Sequence, residues 1–144
     1  MTRIDFHSNV PNRFAYACRL VRKARAAQCR IVLFCKDRNE LAQLDQLLWT
    51  FSEQDFLPHV HAGDPLAAQT PIILNDSETV VLPHYHVLIN LSGDTPEHFA
   101  RFERMIEIIS PHEADKTAGR NRYRSYQELG YPLSHFVADQ QVLS

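Results

Sequence analysis

Hydrophobic and polar positions change period several times along the chain, and each change marks an element. From Asn12 to Ala27 the apolar residues Phe14, Ala17, Cys18, Val21 and Ala24 recur at i, i+3, i+4 and i+7, with Arg19, Arg22, Lys23 and Arg25 mostly on the opposite side. That spacing predicts an amphipathic helix, and Pro11 ahead of it suits a helix start because its missing N–H would be unpaired there anyway. Arg30 to Cys35 reads RIVLFC, a continuous apolar run that suits a strand covered on both faces. Asp37, with Glu40 three residues later, opens a second helix whose stripe is Leu41, Leu44, Leu47 and Leu48 and which ends near Trp49 and Phe51. Ile4 to Phe6, Phe56 to Val60 and Pro71 to Leu74 are shorter strand candidates, and His86 to Leu91 (HVLINL) is a second core strand. Between Val60 and Pro71 the segment HAGDPLAAQT is a loop punctuated by Gly63 and Pro65. Thr95-Pro96-Glu97 predicts a helix carrying Phe99, Phe102, Met105, Ile106 and Ile109, stopped by Ser110-Pro111. A last helix runs from about Glu113 to Leu129 and closes on Gly130, while Pro132 to Val137 is a tail of no defined period.

Strands alternating with helices, with apolar central strands, predict an α/β fold. The expected architecture is a Rossmann-like single domain over residues 1–144, with a mainly parallel sheet flanked by helices. Strand order is not legible in the pattern.

Composition adds exclusions. The chain has 144 residues, 44% hydrophobic and 22% charged, ordinary proportions for one globular core. No apolar run reaches the roughly 20 residues that span a bilayer. Met1 to Val10 carries Arg3, Asp5 and His7 and lacks the apolar stretch of a signal peptide. The expectation is a cytoplasmic protein with no membrane contact. The formal net charge of −2 argues against a broad grip on nucleic acid, so any basic patch is local.

The usual catalytic signatures are missing. The four glycines, Gly63, Gly93, Gly119 and Gly130, form neither GxGxxG nor GxxxxGK[ST], so no nucleotide-binding loop and no cofactor is expected. There is no GxSxG, HExxH or CxxC, and no catalytic residue is assigned. Cys18, Cys29 and Cys35 fit small buried hydrophobes in a reducing compartment. Two PHxH segments, Pro58-His59-Val60-His61 and Pro83-His84-Tyr85-His86, keep one enzyme-like alternative open. Histidines two apart on a strand share a face and could offer two imidazoles to a divalent metal, yet no carboxylate or cysteine accompanies them at a telling offset, so no metal ligand is assigned.

Two stretches are suited to binding. Residues 116–126 (KTAGRNRYRSY) hold four cations within nine residues, Lys116, Arg120, Arg122 and Arg124, interleaved with Tyr123 and Tyr126. Arg120, Tyr123 and Arg124 lie at i, i+3 and i+4 and share a helix face. Guanidinium groups beside an aromatic ring suit a carboxylate next to an apolar side chain, or a single nucleic-acid strand, or simply form a solvated face. The second stretch is Leu47 to Phe51 followed by Phe56-Leu57-Pro58, around the sole tryptophan, Trp49. Aromatics at an element boundary form either an interface anchor or core.

Leu44-Asp45-Gln46-Leu47-Leu48-Trp49, Phe56-Leu57-Pro58-His59 and Arg120-Asn121-Arg122-Tyr123-Arg124-Ser125-Tyr126 together resemble the chi subunit family of the bacterial DNA polymerase III clamp loader. So do the IDFH start, the RIVLFCKD strand and the order of elements over nearly the whole chain. The resemblance implies a Rossmann-like adaptor without catalytic activity. It implies two partners: the small psi subunit, and the acidic, hydrophobic C-terminal tail of single-stranded DNA-binding protein. Carried over by position, the tail site falls on Arg120, Tyr123 and Arg124, walled by the end of the preceding helix near Ser110; by charge alone, Lys116 and Arg122 are expected to attract acidic residues from further off. The family often has an aliphatic residue where Ser110 stands. The psi-facing surface falls on Trp49 and Phe56.

Overall fold

The computed structural model describes residues 1–52 and 57–138. Its seven strands are β1 (Arg3–Ser8), β2 (Ile31–Phe34), β3 (His59–His61), β4 (Ile72–Asn75), β5 (Val87–Asn90), β6 (Arg104–Ile108) and β7 (Leu133–Val137). The helices are α1 (Arg13–Ala26), α2 (Arg38–Ser52) and α3 (Glu113–Glu128), with single 3-10 turns at Ala67–Gln69 and Phe99–Arg101. All neighbouring strands run parallel, in the order β3-β4-β2-β5-β6-β1-β7. The expected α/β architecture and its two buried core strands are present, β2 and β5 being buried at every residue.

Strand alternation sorts the core into two layers. Ile31 and Leu33, Ile72 and Leu74, Val87 and Ile89 face the layer filled by Ala17, Cys18 and Val21 of α1 and Leu41, Leu44 and Leu48 of α2. Val32, Ile73, Leu88 and Met105 face the opposite layer, with Ile4 and Phe6 of β1, Phe99, Phe102 and Tyr126. The start of α2 follows its Asp37 signal, whereas α1 is capped by Asn12, which places Pro11 ahead of the cap rather than in the first turn. Asn12 accepts a bond from the Ala15 amide at 3.1 Å, and Asp37 accepts one from the Glu40 amide at 2.9 Å. At the other end of α3, Gly130 takes φ +85°, its amide bonds Gln127 O, and Tyr131 N bonds Tyr126 O, both at 3.1 Å. This is the Schellman arrangement, and it turns the chain straight into β7. The tail of undefined form is thus a strand, paired to β1 from Ile4↔Leu133 to Ser8↔Val137.

One predicted element is different. Thr95 to Ile109 is not a helix but a 3-10 turn followed by β6. The apolar spacing fits both, but Met105-Ile106-Glu107-Ile108-Ile109 is rich in β-branched side chains and lies between β5 and β1, covered on both faces. A fully covered strand is apolar on both sides and mimics a helical stripe. The polar interruption, Glu107, is also buried, with no exposed surface at all. Its Oε1 accepts from Asn90 Nδ2 at 3.0 Å and Arg122 Nη2 at 3.2 Å, and its Oε2 accepts from Arg122 Nε at 3.2 Å and the Tyr126 hydroxyl at 2.7 Å. Arg122 also donates to Gly93 O at 2.6 Å. Burial opposes charge on Arg122 but is outweighed by Glu107, so its pKa is raised. Burial, then the same carboxylate, keeps the Tyr126 phenol protonated.

Removing one partner of a buried ion pair leaves a stranded charge, which typically costs about 3–5 kcal/mol. Arg122→Met is therefore expected to lose that much in urea denaturation, and Tyr126→Phe about 1–3 kcal/mol. A loss below about 1 kcal/mol for Arg122→Met would show that the pair does not anchor α3.

His7, His84 and His98 are all lowered below the ordinary histidine value, chiefly by burial. Unfolded, they take up protons from about pH 6.5 downward. Their contribution to stability is therefore present above that pH and is lost as pH falls through the folded values. The urea midpoint should be lower at pH 5.5 than at pH 7.5; an equal or higher midpoint contradicts the assignment.

Candidate functional site

The inward and outward faces of α3 have separate tasks. Gly119, Arg122 and Tyr126 are its buried residues and lie against the sheet. Arg120 and Arg124 therefore stand outward and exposed, with Tyr123 half-buried at the margin. Gly119 sets how closely the helix lies on the sheet, since a Cβ there would sit 2.8 Å from Ile109 Cδ1. That contact brings Ile109, the residue after β6, up beside the helix.

A groove of about 390 Å³ results. Its sheet side is Phe6, Ser8, Ile109 and His135, and its helix side includes Lys116, Arg120, Tyr123 and Arg124. The Tyr123 ring meets Phe6 edge-on at 5.0 Å and faces His135 at 6.5 Å. His135 Nε2 bonds Ser8 Oγ at 2.7 Å. Three cations rim an apolar floor, and no carboxylate lines it among the described residues. Lys116 is shared with Glu113 at 3.6 Å, whereas among the described residues Arg120 and Arg124 make no ion pair. Such a groove can take a carboxylate on its rim and an apolar side chain on its floor.

Arg120, Tyr123 and Arg124 thus come together as their spacing predicts. Ser110 does not join them. It is buried, its amide donates to Asp115 Oδ2 at 2.7 Å, and it lines a separate depression at the starts of α1 and α3. The aliphatic wall comes from Ile109, one residue earlier, and it follows a strand rather than a helix. Arg122 is also misplaced by the sequence reading, since it points into the core and not toward a ligand. The signal that separates it from its neighbours is Gly119, three residues before it. A glycine inside a helix costs about 1 kcal/mol relative to alanine, so it marks a close approach and hence the inward face.

The second stretch lies elsewhere. Trp49, in the last turn of α2, is 58% exposed, so it is not core. Its ring rests 4.6 Å from that of His59. His59 is buried, with Nδ1 2.7 Å from Leu57 O and Nε2 3.2 Å from Asp45 Oδ1. Phe56 lies outside the described residues.

The PHxH segments do not form matching pairs of ligands. His59 is buried beside Trp49, while His61 is exposed at the end of β3. His84 and His86 precede β5 rather than lying on a strand. His86 Nδ1 accepts from the Arg30 amide at 3.1 Å. Among the described residues no three His, Cys, Asp or Glu side chains are grouped to hold a metal. Burial pushes the Cys18 and Cys35 thiols up to about 12, which keeps them protonated and poorly nucleophilic near neutral pH. No helix among the described residues is long and apolar enough to cross a membrane.

Fold and site define a parallel α/β protein that carries a cation-rimmed apolar groove beside its last helix and has no glycine-rich phosphate loop. Over residues 1–134 the chain matches the family described as DNA polymerase III chi subunit, HolC, and it belongs to that family. It is 34% identical over 137 residues to the DNA polymerase III subunit chi of Pseudomonas aeruginosa, covering 92% of this chain and 94% of that one. The Haemophilus influenzae subunit chi is 26% identical over 118 residues, 82% of each chain. The Escherichia coli subunit chi is 23% identical over 105 residues, 73% of this chain and 71% of its own. A replication accessory role within the DNA polymerase III holoenzyme follows from that membership.

Proposed function

We propose that this chain is a non-catalytic cytoplasmic adaptor of the clamp-loader complex. In this reading it joins the complex through psi at the Trp49 surface. Its α3 groove holds the C-terminal tail of single-stranded DNA-binding protein and so ties the replicase to coated template. The observation that carries the reading is the groove itself. Arg120 and Arg124, without an ion pair among the described residues, stand over an apolar floor of Phe6, Ile109 and Tyr123. A tail ending in Asp-Asp, an aliphatic residue, Pro and Phe has matching parts. Its terminal carboxylate meets Arg120 or Arg124, its last ring enters the slot beside Tyr123, and its aspartates lie toward Lys116. The groove is too small and local for a long polyanion, and the net charge of −2 offers no wider attraction.

The exposed Trp49 supports the psi surface, because a large ring left in solvent at a helix end is the form of an anchor residue. No residue is assigned a catalytic role, and the polymerase chemistry belongs to other subunits.

The test is fluorescence anisotropy with the tail peptide as free acid and as C-terminal amide. A hydrogen bond to a charged group is worth about 1.5–3 kcal/mol, so Arg120→Ala or Arg124→Ala should weaken the acid peptide roughly ten- to a hundredfold. Amidation should weaken it as well. Added salt should reduce the affinity but leave an apolar remainder. Trp49→Ala should keep peptide affinity and lose psi in a pull-down. Equal affinity for acid and amide peptides would show that the carboxylate is not recognised and that the groove is wrongly assigned.

A further inference from the structure

The sheet ends on one side in β7, whose only strand neighbour among the described residues is β1. In a parallel ladder, alternate residues aim both N–H and C=O at the same neighbour. Pro132 O accepts from the Ile4 amide at 3.0 Å, and the Ala138 amide donates to Ser8 O at 2.9 Å. Even-numbered residues of β7 therefore face β1, and Leu133, His135 and Val137 direct their backbone groups away from the sheet. Edge strands are usually blunted by Lys, Pro or a bulge, or kept very short. Leu133-Ser134-His135-Phe136-Val137 has five regular residues without Lys or Pro, and its end is exposed, Phe136 at 52% and Val137 at 67%. The opposite edge, β3, has only three residues.

His135 belongs to both the edge and the groove. Its imidazole lines the groove while its backbone faces outward. A chain whose end sits in the groove and which runs on along β7 passes Lys116, Arg120 and Arg124, and among the described residues no carboxylate lines the groove. We propose that β7 is a docking edge on which an extended acidic peptide adds as an eighth strand while its end occupies the groove. The inference rests on the tail-binding reading above and extends it to the residues upstream. Strand addition supplies main-chain hydrogen bonds that do not depend on side-chain identity.

The test uses the full chain and two peptides with free C-termini. One is the five-residue end, Asp-Asp-aliphatic-Pro-Phe, and the other carries Thr-Asp-Thr-Asp-Thr ahead of it. Val137→Pro deletes one outward amide, and a proline at such a position spares the ladder to β1. Val137→Ala is its control. The expected result is that the longer peptide binds wild type more tightly than the shorter one. Val137→Pro should then lose roughly two- to tenfold on the longer peptide alone, the worth of one backbone hydrogen bond. In wild type, the His135 and Val137 amides should gain protection from hydrogen exchange with the longer peptide and not with the shorter. This second measurement decides the matter if the proline variant does not fold. Binding of both peptides with equal affinity and no protection at His135 and Val137 overturns strand addition and leaves the groove reading standing. Failure of both peptides to bind overturns the groove reading and this inference with it.

Discussion

The carboxylate of Glu107 is the fixed point of this structure. It is fully buried, and each of its two oxygens accepts two hydrogen bonds, so its charge is completely satisfied without water. Three of those bonds come from Arg122 and Tyr126, four residues apart on α3, which pins the helix at one rotation about its axis. With Arg122 and Tyr126 inward, Arg120 and Arg124 are forced outward, and Tyr123 falls at the boundary. The fourth bond, from Asn90, ties β5 to β6 at the register Asn90↔Glu107 and carries the network into the loop where Asn90 Nδ2 also bonds Asp94 O at 2.8 Å. A buried ion pair is weak support for stability compared with a hydrophobic replacement. Its contribution here is positional: together with the close approach at Gly119 it fixes which arginines of α3 face out.

The fold was legible wherever period and punctuation agreed. Asp37 caps the helix it precedes, Gly130 ends α3, and the apolar runs Ile31–Phe34 and Val87–Asn90 are central strands. It was not legible where two periods coincide. Met105 to Ile109 presents apolar side chains to both layers of the core, so its spacing imitates a helix, and only its β-branched content speaks for a strand. The site divides in the same way. Helical spacing placed Arg120, Tyr123 and Arg124 on one face, as the structure has them, but Arg122 was counted among the solvent cations because Glu107, its partner, lies fifteen residues away on a strand taken for a helix. The wall residue was displaced by one for the same reason. The extended pairing continues one residue past β6, where a step of one residue changes the face, and so Ile109 rather than Ser110 reaches the groove.

Topology separates the two binding features. Trp49 and His59 belong to α2 and β3 at one edge of the sheet, while the groove is built on β1, β7 and α3 at the other. Five strand spacings lie between β3 and β1, about 24 Å at the usual 4.8 Å per strand. The helices concerned also cover opposite faces, α2 with α1 and α3 opposite them. In the proposed function the two partners therefore meet separate surfaces of one sheet and do not compete.

Helix α3 is locked with its cations over an apolar groove far from Trp49, and chemical-shift mapping with the tail peptide tests this most directly. The largest perturbations should fall on Ile109, Arg120, Tyr123 and Arg124, with the Trp49 indole N–H unmoved and the Arg122 Nε–H still shielded from solvent. Largest shifts at Trp49, or exposure of Arg122 on binding, would contradict the claim that a buried Glu107 sets the face α3 presents.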